Sequence, residues 1–387
     1  MRTIERILKI KLPQGQSAFL WGPRKTGKTT YLKQKFPNSL VFDFLKTDLF
    51  FEISKNPSLL RERLLAQDEA VLREPVVLDE VQKVPQALDE VHWLIENKGL
   101  SFILCGSSAR KLKKGHANLL GGRAWRYELF PLVSHEIGKV DLLRALNHGL
   151  IPLHYLQNNN DCKKSLAAYV QDYLKEEVFA EGLARNIPAF SRFFDALGYS
   201  HGELTNYSNI ARDCGVNSKT VKEYFQILVD TLLASRVEPF KKRQSRQVIT
   251  KASKYYLADV GIAGYLIKRN LEEQKGAEFG KAFEHFLFME IIAYRSYAGK
   301  DFAINFWRTK SGIEVDLVLG AGEVAVEIKG SGRVDKKDLY GLGVFDGEFS
   351  PKKSILVCNE KEKRLSGKIE ILPWEIFLEK LWDGKIL

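Results

Sequence analysis

The chain has 387 residues, enough for two or three cores of ordinary domain size, and its 45% hydrophobic and 28% charged residues describe a protein that folds. Fifty-nine Lys and Arg against 48 Asp and Glu leave a formal charge of +11 and a pI near 9.2, which suits a polyanionic partner but is equally served by solubility alone. Four scattered cysteines (Cys105, Cys162, Cys214, Cys358) argue against a zinc knuckle or disulfide framework, and the absence of a signal peptide or an apolar run of spanning length argues for a reduced, cytoplasmic protein without a membrane partner.

Residues 1–156 alternate strand and helix, which predicts an α/β unit with a parallel sheet and helices on both faces. Expected strands are Ala18–Trp21, Leu40–Phe44, Val76–Leu78 and Phe102–Cys105; expected helices include Pro57–Leu72 and Gln86–Asn97. Between the first strand and a helix start lie Gly22, Pro23, Arg24, Lys25, Thr26, Gly27, Lys28, Thr29 and Thr30, a glycine-rich phosphate loop placed where such a loop must lie. Its glycines let the backbone wrap phosphates, and the helix N-terminus turns N–H groups toward them. Lys28 is expected to neutralise the β/γ-phosphates of ATP and Thr29 to complete a Mg²⁺ shell. The strand ending in Asp79-Glu80 then places Asp79 beside the magnesium and leaves Glu80 to polarise an attacking water, which favours hydrolysis over storage.

Ser107 and Ser108 follow the fourth strand, where a polar side chain either reports the γ-phosphate or caps the next helix. Arg123 and Arg126 are candidates for a finger supplied across a subunit boundary, and equally for surface or DNA-facing charge. The polar run Gln157–Asp161 is expected to be a linker.

Residues 162–270 are predicted to be mainly helical, with a short strand-like passage near Val248–Leu257. Leu204–Asn217 followed by Ser218–Leu233 has the pattern helix, tight turn, helix. Ile210 and Ala211 face inward, Gly215 makes the turn, and Asn217 or Ser218 caps the second helix. Val221, Tyr224, Phe225, Leu228 and Leu232 recur on that helix's buried face, leaving Lys219, Lys222 and Glu223 outside. The basic stretch Phe240–Arg246 completes a winged helix whose wing meets backbone phosphates; the same architecture also serves as a protein-packing module.

Residues 275–387 open with a helix and continue as strands. Ile313–Leu319 and Val324–Lys329, joined through Gly320–Gly322, predict a hairpin that brings Asp316 to Glu327 and sets Glu327 and Lys329 on one face. Two carboxylates there suit Mg²⁺, with Mn²⁺ able to substitute, and the lysine suits the orientation of a water for phosphodiester attack. Glu284, on the preceding helix, is a candidate third ligand. An ion pair on an ordinary sheet face is the competing account of Asp316, Glu327 and Lys329.

Several of these segments together resemble the prokaryotic AAA-type ATPases with a C-terminal DUF4143 region. They are Trp21–Thr30, Leu78–Gln82, Cys105–Ser108, Gly122-Arg123, Phe130–Leu132 with Glu136, Tyr173-Leu174, Arg185–Ile187 and Lys254–Asp259. Lys25-Thr26 and Val133–His135 depart from that pattern at positions that bear on packing. Asp316, then Glu327 and Lys329, resembles the restriction-endonuclease-like PD-(D/E)XK superfamily, which implies an α/β nuclease-like fold for the last region. The combined expectation is an ATP-hydrolysing, DNA-processing protein acting on duplex or branched DNA as a homo-oligomer, rings included. The alternative is an ATP-dependent regulatory switch whose C-terminal region binds a protein without cleavage.

Overall fold

The structure, a computed structural model, describes residues 4–13, 15–107, 120–174, 187–241 and 252–387. Ser108, Arg185, Asn186 and the wing residues Lys242, Arg243 and Arg246 lie outside the described residues, as do the side chains of Tyr173, Leu174 and Ile187. The chain divides into two units, one built from residues 6–131 with 230–233, the other mainly from 132–229 and 234–387.

The first unit is built on a five-stranded, all-parallel sheet in the order β2-β3-β4-β1-β5. Its strands are β1 (Ser17–Trp21), β2 (Val41–Asp43), β3 (Val76–Asp79), β4 (Phe102–Gly106) and β5 (Ala124–Glu128). Strands β1, β3 and β4 are buried at every residue, as central strands of a parallel sheet must be. Phe19, Leu78, Leu104, Val91 and Leu94 join them to the helix Ala87–Lys98 in one core. Strand β5 was not foreseen: it lies at the sheet edge and exposes Trp125 and Arg126, so it carries no apolar run. The helix expected over Pro57–Leu72 stops at Leu65 and the chain re-forms as a 3₁₀ turn at Val71–Arg73, turning through the Asp68 and Glu69 carbonyls to reach β3.

The second unit carries an eight-stranded sheet in the order β12-β13-β11-β10-β9-β8-β6-β7, with β12 (Arg364–Ser366) at one edge. Strand β6 (Ala234–Pro239) pairs antiparallel with β7 (Lys254–Leu257) and runs parallel to β8 (Ile304–Arg308), so the hairpin after the helical segment is part of the same sheet as the C-terminal strands. Strands β9 (Glu314–Leu319) and β10 (Val324–Lys329) form the expected antiparallel hairpin, and β11 (Lys353–Cys358) and β13 (Ile369–Pro373) extend it in parallel.

The run 157–161 is a helix start and not a linker. Asn158 accepts from the Asp161 amide at 3.0 Å and caps the helix Asn159–Ala168, which is what a polar, turn-prone residue does just before a helix. The helix-turn-helix is present as Tyr207–Cys214 and Ser218–Asp230, with Gly215 at φ 68° and Asn217 accepting from the Thr220 amide at 2.8 Å. Val221, Tyr224, Phe225 and Leu228 are buried, while Leu232 falls beyond the helix end. A buried acid stitches this unit together. Asp259 accepts from the amides of Leu150 (2.6 Å), Ile151 (3.1 Å), Gly261 (2.9 Å) and Ile262 (3.1 Å). Gly149, at φ +78°, leaves room for it: a Cβ there would come within 1.9 Å of Asp259 Oδ1.

Candidate functional site

Strand β1 delivers the chain into a tight loop. At Gly22 a Cβ would lie 2.4 Å from the Leu129 carbonyl oxygen, so only glycine lets the loop leave the sheet here. Lys25 (φ 65°) and Gly27 (φ 92°) make the left-handed bends that bring the chain to the helix Lys28–Lys35. Thr26 is fully buried and donates to the Pro23 carbonyl at 2.8 Å, so its hydroxyl is used within the loop. Arg6 braces the outside, its guanidinium donating to Thr26 O and Phe130 O at 2.7 Å each.

The functional side chains converge on this loop. Lys28 Nζ, only 7% exposed, donates to the carbonyls of Gly22 (2.7 Å) and Pro23 (3.0 Å). Thr29 Oγ1 donates to Asp79 Oδ2 at 2.6 Å, and Asp79 Oδ1 accepts from the Glu80 amide at 3.0 Å. Glu80 follows in a left-handed conformation (φ 57°), strain tolerated where it aims a functional side chain. Burial pushes its carboxyl upward, while the charges of Lys28 and Arg24 pull it back. Gln82 Nε2 donates to both Glu80 Oε2 and Ser107 Oγ, the latter at 3.1 Å, tying the acid at the end of β3 to the serine at the end of β4. Thr29 and Thr30 are exposed beside them, as is Lys25. A divalent ion fits the Thr29 hydroxyl and the Asp79 carboxylate, because such an ion keeps waters and phosphate oxygens as most of its ligands. Arg123 is ion-paired with Glu96, whereas Arg126 is exposed on β5.

The second group of acids lies on β9, β10 and the helix Ala277–Tyr297. In the β9–β10 register, Leu317 faces Val326, so Asp316 and Glu327 form the next pair. They are 6% and 5% exposed. Asp316 Oδ2 accepts from the Ile328 amide at 2.7 Å. Glu327 Oε1 meets Lys329 Nζ at 2.7 Å, and Glu327 Oε2 is buried without a hydrogen-bond partner. Glu284 Oε1 accepts from the Tyr256 hydroxyl and lies 3.8 Å from Lys254 Nζ. Burial raises all three carboxyls, and the Asp316 charge raises Glu284 and Glu327 further; Lys254 and Lys329 oppose this. Among the described residues, no three or more His, Cys, Asp or Glu side chains are arranged to hold a metal ion.

Three families match successive regions of the chain. Residues 14–138 match the family described as AAA domain. This region resembles an AAA-type P-loop ATPase domain, in keeping with the loop and acids described above. Residues 139–273 match a domain of unknown function, DUF8612, and residues 279–377 match another, DUF4143. The motifs at 173–187 and 254–259 thus fall within the DUF8612 match and outside the DUF4143 one. An uncharacterized protein of Mycobacterium tuberculosis is 25% identical over 324 residues, 80% of this chain and 69% of that one. An uncharacterized protein of Methanocaldococcus jannaschii is 26% identical over 208 residues, 48% of this chain and 47% of that one. A Walker-type ATPase of Pyrococcus abyssi aligns at 14% identity and TM-score 0.41, over 65% of this chain and 90% of that one. The Orc1 protein of Aeropyrum pernix, solved in complex with DNA, aligns at 12% and TM-score 0.24, over 65% and 86%. Likenesses this shallow carry no weight for fold or function. No helix among the described residues is long and apolar enough to cross a membrane.

Four contributors had no role assigned from sequence. Gln82 lies inside the Leu78–Gln82 motif, and Lys254 and Tyr256 inside the Lys254–Asp259 motif, so each carried a signal without a chemistry. Arg6 carried none, because only the fold brings it to the loop.

Proposed function

We propose that the chain is an ATP-hydrolysing, DNA-processing protein in which the AAA-type domain drives or gates the later regions on duplex or branched DNA. The observation that carries the ATPase half is the 2.6 Å hydrogen bond from Thr29 to Asp79, with Glu80 immediately after it. Lys28 exchanges the Gly22 and Pro23 carbonyls for β- and γ-phosphate oxygens, a swap of one set of acceptors for another. Thr29 and Asp79 hold Mg²⁺, which neutralises charge on the phosphates when bound. Glu80 accepts the proton of the attacking water, with Gln82 fixing its carboxylate and linking it to Ser107, which reports the γ-phosphate. Arg126, exposed on the edge strand, is the better finger for a neighbouring copy in a homo-oligomer, since Arg123 is committed to Glu96.

The DNA half draws on the +11 charge, the helix-turn-helix, read as a winged helix, and the basic stretch between β6 and β7. The last region is read as a restriction-endonuclease-like fold with Asp316, Glu327 and Lys329 at its centre. ATPase rates against linear, forked and four-way DNA test the whole reading. Stimulation by DNA that falls steeply with salt is expected; rates indifferent to every nucleic acid would defeat it. Cleavage with Mg²⁺ or Mn²⁺ that persists equally in Asp316→Ala and Lys329→Ala would come from a contaminant. A second reading, an ATP-dependent switch without cleavage, is favoured by one observation: Lys329 and Lys254 already pair with Glu327 and Glu284. Nucleotide-dependent assembly with no response to DNA would select it.

A further inference from the structure

The three acids of the C-terminal cluster are not equivalent. Glu327 has one buried oxygen with no partner, which is how a carboxylate awaiting a cation is left. Glu284 is occupied: the Tyr256 hydroxyl and Lys254 ammonium both approach its Oε1. Lys254 comes from β7, and its side chain is only 7% exposed. Among the described residues Lys329 pairs only with Glu327 Oε1 and is about a third exposed, so it can turn to solvent; the buried Lys254 cannot, and would repel a divalent ion at Glu284.

We propose that Lys254 is a resident cation that holds Glu284 out of any metal shell, leaving Asp316 and Glu327 as a two-carboxylate site of weak affinity for divalent ions. This rests on the nuclease-like reading of the cluster. It assigns Lys254 and Tyr256 to the site as positioning residues and makes Glu284 a partner of the protein's own lysine.

The test is Mn²⁺ binding to the nucleotide-free full chain, followed by electron paramagnetic resonance of free Mn²⁺, with Asp79→Asn in every variant to silence the N-terminal site. One Mn²⁺ per chain is expected, lost in Glu327→Gln and changed less than about twofold in Glu284→Gln. Lys254→Met should tighten binding about tenfold by freeing a third carboxylate, and adding Glu284→Gln should remove that gain. Should Lys254→Met fail to fold by circular dichroism, Lys254→Arg should keep the weak affinity and Lys254→Gln should tighten it; equal affinities in that pair overturn the proposal. So does a Glu284→Gln loss as large as that of Glu327→Gln, or no tightening in Lys254→Met. Absence of Mn²⁺ binding in every variant would instead bring down the nuclease-like reading itself, and this assignment with it.

Discussion

The acids of the two units are satisfied in opposite ways. Around the phosphate loop, Asp79 and Glu80 are held by neutral donors, Thr29, a backbone amide and Gln82, while the nearby Lys28 rests on backbone carbonyls. In the second unit Glu284 faces the protein's own Lys254, and Asp259, away from that cluster, accepts from four amides. Glu290 belongs there too, accepting from the Ser134 amide (2.6 Å), the Ser134 hydroxyl (2.8 Å) and Trp382 Nε1 (2.8 Å). One or two exchangeable donors mark a site waiting for a ligand; an ion pair or three and more donors mark acids used to hold the fold.

That contrast breaks if acids of the first kind control stability or acids of the second kind control turnover. Glu80→Gln should lower ATP turnover by about 10²–10⁴-fold with nucleotide binding retained, measured by phosphate release and by fluorescent-nucleotide titration. Its unfolding free energy should shift by less than about 1 kcal/mol. Asp259→Ala should do the reverse, costing about 3 kcal/mol or more in urea unfolding because several buried amides lose their acceptor. An Asp259→Ala protein of wild-type stability would remove the latch from the account.

Glu290 sharpens the comparison through pH. Burial pushes its carboxyl up to about 7, whereas the unfolded chain has the ordinary value of 4.5. Between those values the folded protein keeps a proton that the unfolded chain has lost. Stability from this group is therefore full below pH 4.5 and declines as pH rises toward 7, by up to about 1.4 kcal/mol per unit. Glu290→Gln should lack that slope when both proteins are unfolded in urea at pH 5, 6, 7 and 8; parallel curves would contradict the assignment.

The smallest effect expected is at Gln82. Gln82→Ala should reduce kcat about tenfold with little change in KM. Losing its N–H donor raises the Glu80 carboxyl further, so the acidic limb of the kcat–pH profile should move to higher pH. An unmoved limb would mean that Gln82 only fills space.

Much of this was legible along the chain because the relevant interactions are local. Gly22 to Thr30 form one turn and a helix start, β9 and β10 are neighbours joined by a short loop, and Asn217 caps the helix it precedes. Failures came where local chemistry admitted two outcomes. The polar run at 157–161 served as a cap in place of a linker, and β5 hid behind Trp125 and Arg126 because an edge strand need not be apolar. Glu284 carries a site signal on its helix, but the lysine that occupies it lies thirty residues earlier, on strand β7.

Residue order alone determined the phosphate loop, the acids of β3 and the hairpin bearing Asp316 and Glu327, since each depends on backbone geometry over a few residues. Tertiary structure alone decided which partner each acid received: Arg6 against the loop, Gln82 between Glu80 and Ser107, Lys254 against Glu284. Burial and Coulomb interaction depend on distance in space, and separation along the chain does not report that distance.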